Sequence, residues 1–166
     1  MDAIFKRASV RRFTDEDVSA GAVEHLLRAA MAAPSAGNQQ PWEFYVVRDA
    51  DLKKQLAAAS PYAKPAAGAP VVVVPCMRTE GVRFPECAVQ DMSAATENLL
   101  IEAAEQELGA VWMAVAPFAD RQRNVARALE LPGNLQAFAI VALGHPAAAV
   151  QPKGAQRYDA ARVHER

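Results

Sequence analysis

The chain has 166 residues, 52% of them hydrophobic, and a net charge of −1. That length favours one domain over residues 1–166, able to bury roughly 70% of its unfolded surface, and the composition excludes a disordered chain. The near-neutral charge argues against nucleic acid as a partner, and no apolar run approaches the about 20 residues that span a membrane.

In chain order, Asp2 can cap a short helix over Ala3–Lys6, and a polar, basic stretch runs from Arg7 to Asp17. Ser19 is placed to cap the next helix, whose Ala22, Val23, Leu26, Leu27 and Ala30 form one apolar stripe. Pro34 stops it, and Pro34–Pro41 (PSAGNQQP) reads as a loop. Trp42–Val47 is rich in aromatic and β-branched residues and predicts a strand, with a short helix following around Leu52–Ala59. Val71–Val74 is a continuous apolar run, as in a strand buried on both faces, and Met77–Glu86 reads as loop. The longest predicted helix covers about Ala88–Leu108. Val89, Met92, Thr96, Leu99, Leu100 and Ala103 form one face, and Ala94, Ala95, Ile101 and Ala104 add apolar surface elsewhere, as in a helix that is central or meets a second subunit. Gly109 can end this helix in the left-handed conformation. Ala110–Val115 predicts a strand broken by Pro117. Arg121–Leu129 predicts a helix with Asp120 as its cap, and Ala137–Leu143 the last strong strand. After His145 the apolar pattern fades into a basic tail with Lys153, Arg157 and Arg162.

Several chemistries are missing. The eight glycines form no G-x-G-x-x-G or P-loop arrangement, no C-x-x-C or H-E-x-x-H pattern suggests a metal, and no G-x-S-x-G elbow suggests a hydrolase. His25, His145 and His164 are scattered and suit surface or capping roles. The N-terminus, MDAIFKRASVRRF, has no apolar stretch of a secretory leader, and Cys76 and Cys87 are expected to be free thiols in a reducing cytoplasm. An enzyme built this way would leave its chemistry to a bound cofactor.

Two stretches carry most of the signal. In Lys6–Phe13 (KRASVRRF), Arg7, Ser9 and Arg11 alternate, so an extended segment would project two guanidiniums and a hydroxyl to one side, where they can grip a phosphate. Taken alone, the stretch also fits a solvated basic loop. In Ala33–Trp42 (APSAGNQQPW), Gly37 permits an unusual turn, the two prolines stiffen the ends, and the Asn38 amide can read the polar edge of a flat heterocycle or simply cap a turn.

Together these stretches resemble the N-terminal part of the nitroreductase family of flavoproteins. The resemblance continues through Asp91–Gly109, with Asn98-Leu99-Leu100 ahead of a Leu-Gly turn, and reaches Arg157, covering nearly the whole chain. It implies an α+β, nitroreductase-like fold: a mixed, mostly antiparallel sheet flanked by helices, with a domain-swapped C-terminal tail that extends the partner's sheet. It implies a homodimer with FMN at the interface. Arg7, Ala8 (through its backbone), Ser9 and Arg11 would hold the phosphate and ribityl chain, and Pro34, Ser35, Ala36 and Asn38 would approach the ring from the partner's side. Ala114 and Val115, by position, fall in the family's third flavin segment, where relatives often carry an acidic residue followed by glycine; this chain has neither. The bland reading makes Trp112 and Met113 core residues. Lys153 and Arg157 match basic residues that relatives bring to the phosphate. The implied reaction is ping-pong transfer from NADH or NADPH to a small-molecule acceptor such as a nitroaromatic or quinone, with no catalytic side chain. A reductive dehalogenase or flavin-cleaving relative, a non-enzymatic FMN-binding protein and an unrelated anion-binding module stay open.

Overall fold

A computed structural model describes residues 3–166, and the expected cap Asp2 lies outside them. Helix α1 spans Ala3–Lys6 and α2 spans Ala20–Met31. The Ser19 hydroxyl accepts from the Ala22 N–H at 3.1 Å, which satisfies one of the free donors of the first turn. Val23, Leu26 and Ala30 are buried along one stripe of α2. Strand β1, Trp42–Val47, is followed by α3, Ala50–Ala58. That helix starts earlier than its apolar pattern suggests because the Asp49 carboxylate caps it, accepting from Leu52 N–H at 2.8 Å.

Strand β2 runs over Val71–Arg78, twice the length of its valine run. The expected loop from Met77 therefore begins only at Thr79. Pro75 sits inside β2 because the neighbouring strand is interrupted there. That neighbour is two strands and not the single expected Ala137–Leu143: β4, Leu135–Ala137, and β5, Ala139–Gly144. Residues 138–140 lie opposite only 74 and 75, between the pairs Cys76 with Ala137 and Val73 with Val141. This is a bulge, which re-aims the backbone locally. Phe138 donates its N–H to Pro75 O at 2.9 Å, and its own carbonyl accepts from Ala116 N–H at 2.9 Å and Val115 N–H at 3.3 Å.

Helix α4 spans Ala88–Glu105 and stops before the expected Leu108. The left-handed residue that turns the chain is Glu107, with φ 58°. Gly109 is not the cap but the first residue of β3, Gly109–Ala114. A Cβ at Gly109 would lie 2.7 Å from the Val10 side chain, so close packing and not a turn requires glycine. Val89, expected on the packed face of α4, is 46% exposed, and Ala88, Asp91 and Ala95 are buried beside Met92, Thr96, Leu99, Leu100 and Ala103. Helix α5, Ala119–Leu129, starts after Phe118, so Asp120 stands in the first turn and is not its cap.

The strand order is β1-β2-β5-β3, with β4 also on β2. Every named pair is antiparallel, and one isolated parallel bridge joins Ser9 to Ala110. Alternate side chains of β2 serve opposite faces. Val71 and Val73 pack with Leu26, Leu99 and Leu100 of α2 and α4, while Val72 and Val74 pack with Leu56 and Val125 of α3 and α5. This is the expected α+β arrangement, an open antiparallel sheet with helices on both faces. Beyond the Phe13–Pro146 bridge, the described tail forms only short 3-10 turns at Gly154–Arg157 and Ala160–Arg162. Among the described residues no helix is long and apolar enough to cross a membrane.

Candidate functional site

The basic stretch is stitched along the edge of the sheet. Val10 N–H donates to Ala110 O at 2.9 Å, Thr14 N–H to His145 O at 2.9 Å, and Ala147 N–H to Arg12 O at 3.0 Å. The one-sided comb of Arg7, Ser9 and Arg11 does not form whole. Arg7 N–H still bonds Ala3 O at 3.0 Å, so Arg7 belongs to the end of α1 and the extended alternation begins after it. Its Nε instead meets Glu97 Oε1 of α4 at 3.0 Å. Arg11 is exposed and rests Nη1 against Ser9 O at 3.4 Å.

Arg11 joins Arg12 and Lys64 in lining a cavity of about 390 Å³, with Phe13, Pro65 and Gly68. Arg11 and Arg12 also line a second cavity of about 300 Å³, closed by Ala8, Ser9 and the tail residues Ala148–Gln151. Among the described residues no carboxylate pairs with any of these three cations. A cluster of unneutralised cations at a concave surface suits a phosphate. Lys64 escaped the sequence reading because it stands alone in an Ala/Pro-rich segment; only the 3-10 turn Lys64–Gly68 carries it to Arg11.

The second stretch forms a rigid loop. Gly37, Asn38 and Gln40 have φ of 55°, 56° and 47°, and a Cβ on Gly37 would sit 2.6 Å from the Phe84 ring. Such backbone persists only where its surroundings hold it, and here two charged groups do. The buried Asp91 carboxylate accepts from Ala36 N–H at 2.9 Å and from Gln39 Nε2 at 2.6 Å. Gln39 also clasps the Phe84 backbone, through Nε2 to Phe84 O at 3.0 Å and Phe84 N–H to Oε1 at 2.8 Å. From the other side Arg78 Nη2 donates to Gln40 O at 2.7 Å and Gln39 O at 3.2 Å. Ser35 Oγ accepts from Gln40 N–H at 3.0 Å, and Asn38 Oδ1 from Gln40 Nε2 at 2.9 Å. That leaves the exposed Asn38 amide with its two N–H donors free. Pro34 is exposed, and Ser35 and Ala36 are half-buried.

The loop residues line neither cavity of the cationic stretch. Asp91 anchors the loop and Glu97 holds Arg7, and these two residues lie about 9 Å apart along α4 and about 120° apart around it. Ala114, at the end of β3, is exposed, whereas Val115 is buried with its N–H turned to Phe138 O. Met113 is buried and Trp112 packs at 5.3 Å between ring centroids on Phe138, the core role expected of both. Lys153 and Arg157 are exposed on the tail and line neither cavity; the tail passes Arg11 earlier, at Ala148–Gln151. Cys76 and Cys87 are free thiols, and burial pushes Cys76 up to about 12, so it is a packing residue and not a nucleophile.

A family model described as Nitroreductase family matches residues 4–61 and 59–145. The chain belongs to the nitroreductase family. A protein of Archaeoglobus fulgidus, provisionally named an NADH dehydrogenase/NAD(P)H nitroreductase, is 39% identical over 144 residues, covering 86% of this chain and 83% of its own. The crystal structure of a provisionally named NADH oxidase from Clostridium acetobutylicum superimposes with a TM-score of 0.92 at 39% identity, covering 98% of each chain. A nitroreductase structure from Desulfovibrio desulfuricans, solved in complex with FMN, gives 0.76 at 34% identity, covering 95% of this chain and 94% of its own. Both stretches that carried the nitroreductase resemblance, Lys6–Phe13 and Ala33–Trp42, fall within the matched residues.

Proposed function

We propose that this oxidoreductase of the nitroreductase family binds FMN at the interface of a homodimer and passes electrons from NADH or NADPH to a nitroaromatic or quinone acceptor in a ping-pong cycle. The observation that carries the reading is the division of the candidate ligands: the unpartnered cations Arg11, Arg12 and Lys64 share one cavity, and the pre-set loop with free amide donors, anchored to α4 through Asp91, lines no part of it. A flavin shared between two chains would take one of these sets from each. Further support comes from apolar side chains left in solvent on one chain, among them Ile4 at 56%, Val89 at 46% and Val163 at 54%. The outer edge of β1 is also unpaired among the described residues, where an exchanged tail from the partner could add. The two free thiols fit a reducing cytoplasm, and residues 1–166 serve as one flavin-binding unit.

A bound FMN would supply the redox chemistry, hydride and electron transfer between the nicotinamide and the acceptor. The chain's residues bind and orient. Ser9 and Arg11, with Arg12 and Lys64, fit a phosphate, and Ala8 offers backbone only. Asn38 presents its free amide donors to a polar ring edge, with Pro34, Ser35 and Ala36 packed beside it as the body of the loop, and Ala114, backed by Val115, borders the pocket. Lys153 and Arg157 are available to a phosphate on either chain. Flavin released from the purified protein is expected to chromatograph as FMN, and the holoprotein to oxidise NADH or NADPH under steady-state conditions. FAD, or no flavin after reconstitution, overturns the cofactor assignment; FMN without turnover leaves a binding protein and removes the enzyme reading.

Arg11→Ala is expected to raise the FMN dissociation constant about ten- to a hundredfold, the loss of one charge-assisted hydrogen bond to phosphate. Fluorescence titration at fixed salt measures it. An unchanged constant would return Arg11 to a solvated loop.

A further inference from the structure

Arg121 stands in the first turn of α5, where the partial positive charge of a helix N-terminus disfavours a cation. Among the described residues no carboxylate pairs with it. It is held instead by stacking and one hydrogen bond. Its Cζ lies 3.8 Å from the Phe118 ring centroid and 5.3 Å from that of Tyr62, and Nη1 donates to Ala114 O at 3.1 Å. Of the five N–H donors of a guanidinium, that bond uses one. The rings beside it remain in solvent, with Phe118 44% and Tyr62 69% exposed.

The cluster adjoins the candidate flavin site at two points. Ala114, whose carbonyl Arg121 meets, falls by the family resemblance in the third flavin segment, and Lys64, two residues after Tyr62, lines the cavity of Arg11 and Arg12. Exposed aromatic faces suit a planar ring, and a free guanidinium fork suits a carboxylate or phosphate.

We infer that Arg121, presented by Phe118 and Tyr62, is a specificity-determining cation that takes an anionic group carried on the planar substrate meeting the flavin. The inference rests on the flavin reading above. Two substrates can bring such a group: an aromatic carboxylate as acceptor, or the phosphates of the nicotinamide donor.

The test titrates the oxidised holoenzyme and its Arg121→Ala and Arg121→Lys variants, without turnover, with three probes followed by flavin absorbance. These are 4-nitrobenzoate, its neutral counterpart 4-nitrobenzamide, and NAD+. In Arg121→Ala the dissociation constant of at least one anionic probe is expected to rise about tenfold or more, while that of 4-nitrobenzamide changes less than about twofold. Arg121→Lys recovers part of the loss, because it keeps the charge and not the planar fork. A loss confined to 4-nitrobenzoate assigns the acceptor, a loss confined to NAD+ the donor, and a loss of both assigns both. The inference is overturned if the wild type binds neither anion, if both anions bind Arg121→Ala unchanged, or if the amide weakens as much as the benzoate. Failure of the flavin reading shows separately, as a protein with no flavin absorbance before any probe is added.

Discussion

Asp91→Ala is expected to lower the melting temperature by about 6–12 °C and to weaken FMN retention together with it. Asp91 is 6% exposed, and its carboxylate accepts from Ala36 N–H and Gln39 Nε2. Removing it deletes two charged hydrogen bonds and leaves partly buried donors unmet, a loss on the order of 3 kcal/mol. For a chain of this size each kcal/mol moves the midpoint by about 2–4 °C. The loop it anchors holds three positive-φ residues, Gly37, Asn38 and Gln40, which relax once the clamp is gone. Asp91→Asn keeps one acceptor and is expected to fall between the alanine variant and the wild type. Thermal melts of the apo and FMN-loaded protein measure both effects. A midpoint within about 1 °C of the wild type, where surface substitutions fall, would show that Arg78 and the Gln39–Phe84 contacts hold the loop without Asp91.

What the sequence revealed was local. The α2 stripe and the Ser19 cap are short-range signals, and so is the valine run of β2. Its continuation through Pro75–Arg78 was hidden, because a proline argues against strand and only the bulge at Phe138 accommodates it. Gly109 obeyed a sound local rule for helix ends, yet its requirement comes from Val10, 99 positions earlier. Arg7 looked like part of an extended comb because α1's last hydrogen bond cannot be seen in an alternating pattern. The loop at Pro34–Pro41 was legible as a loop through its glycine and prolines. Asp91 and Arg78, which fix its shape, reach it from α4 and the end of β2, and nothing in their own neighbourhoods marks them. Arg121 sits in an unremarkable helical run, and only the fold brings Tyr62, from 59 positions earlier, against it.

A mixed dimer of one Arg11→Ala chain and one Asn38→Ala chain is expected to bind FMN in two populations, half of it with wild-type affinity. In each parent homodimer both pockets carry the same defect. Arg11→Ala weakens both of its pockets about ten- to a hundredfold through the lost phosphate contact. Asn38→Ala weakens both of its pockets less, by a few-fold for a neutral hydrogen bond, with added strain because alanine must adopt the φ of 56° that Asn38 holds. If each flavin takes its phosphate ligands from one chain and the loop from the other, the mixed dimer divides the defects unevenly. One pocket receives both defects and binds FMN at least as weakly as the Arg11→Ala homodimer does. The second pocket receives neither and is intact. The heterodimer, isolated through two different affinity tags, is then titrated with FMN alongside both parents. A flavin held within one chain predicts the opposite: one pocket with each single defect and no site of wild-type affinity. That outcome would place both ligand sets on one chain and remove the argument for an interface site.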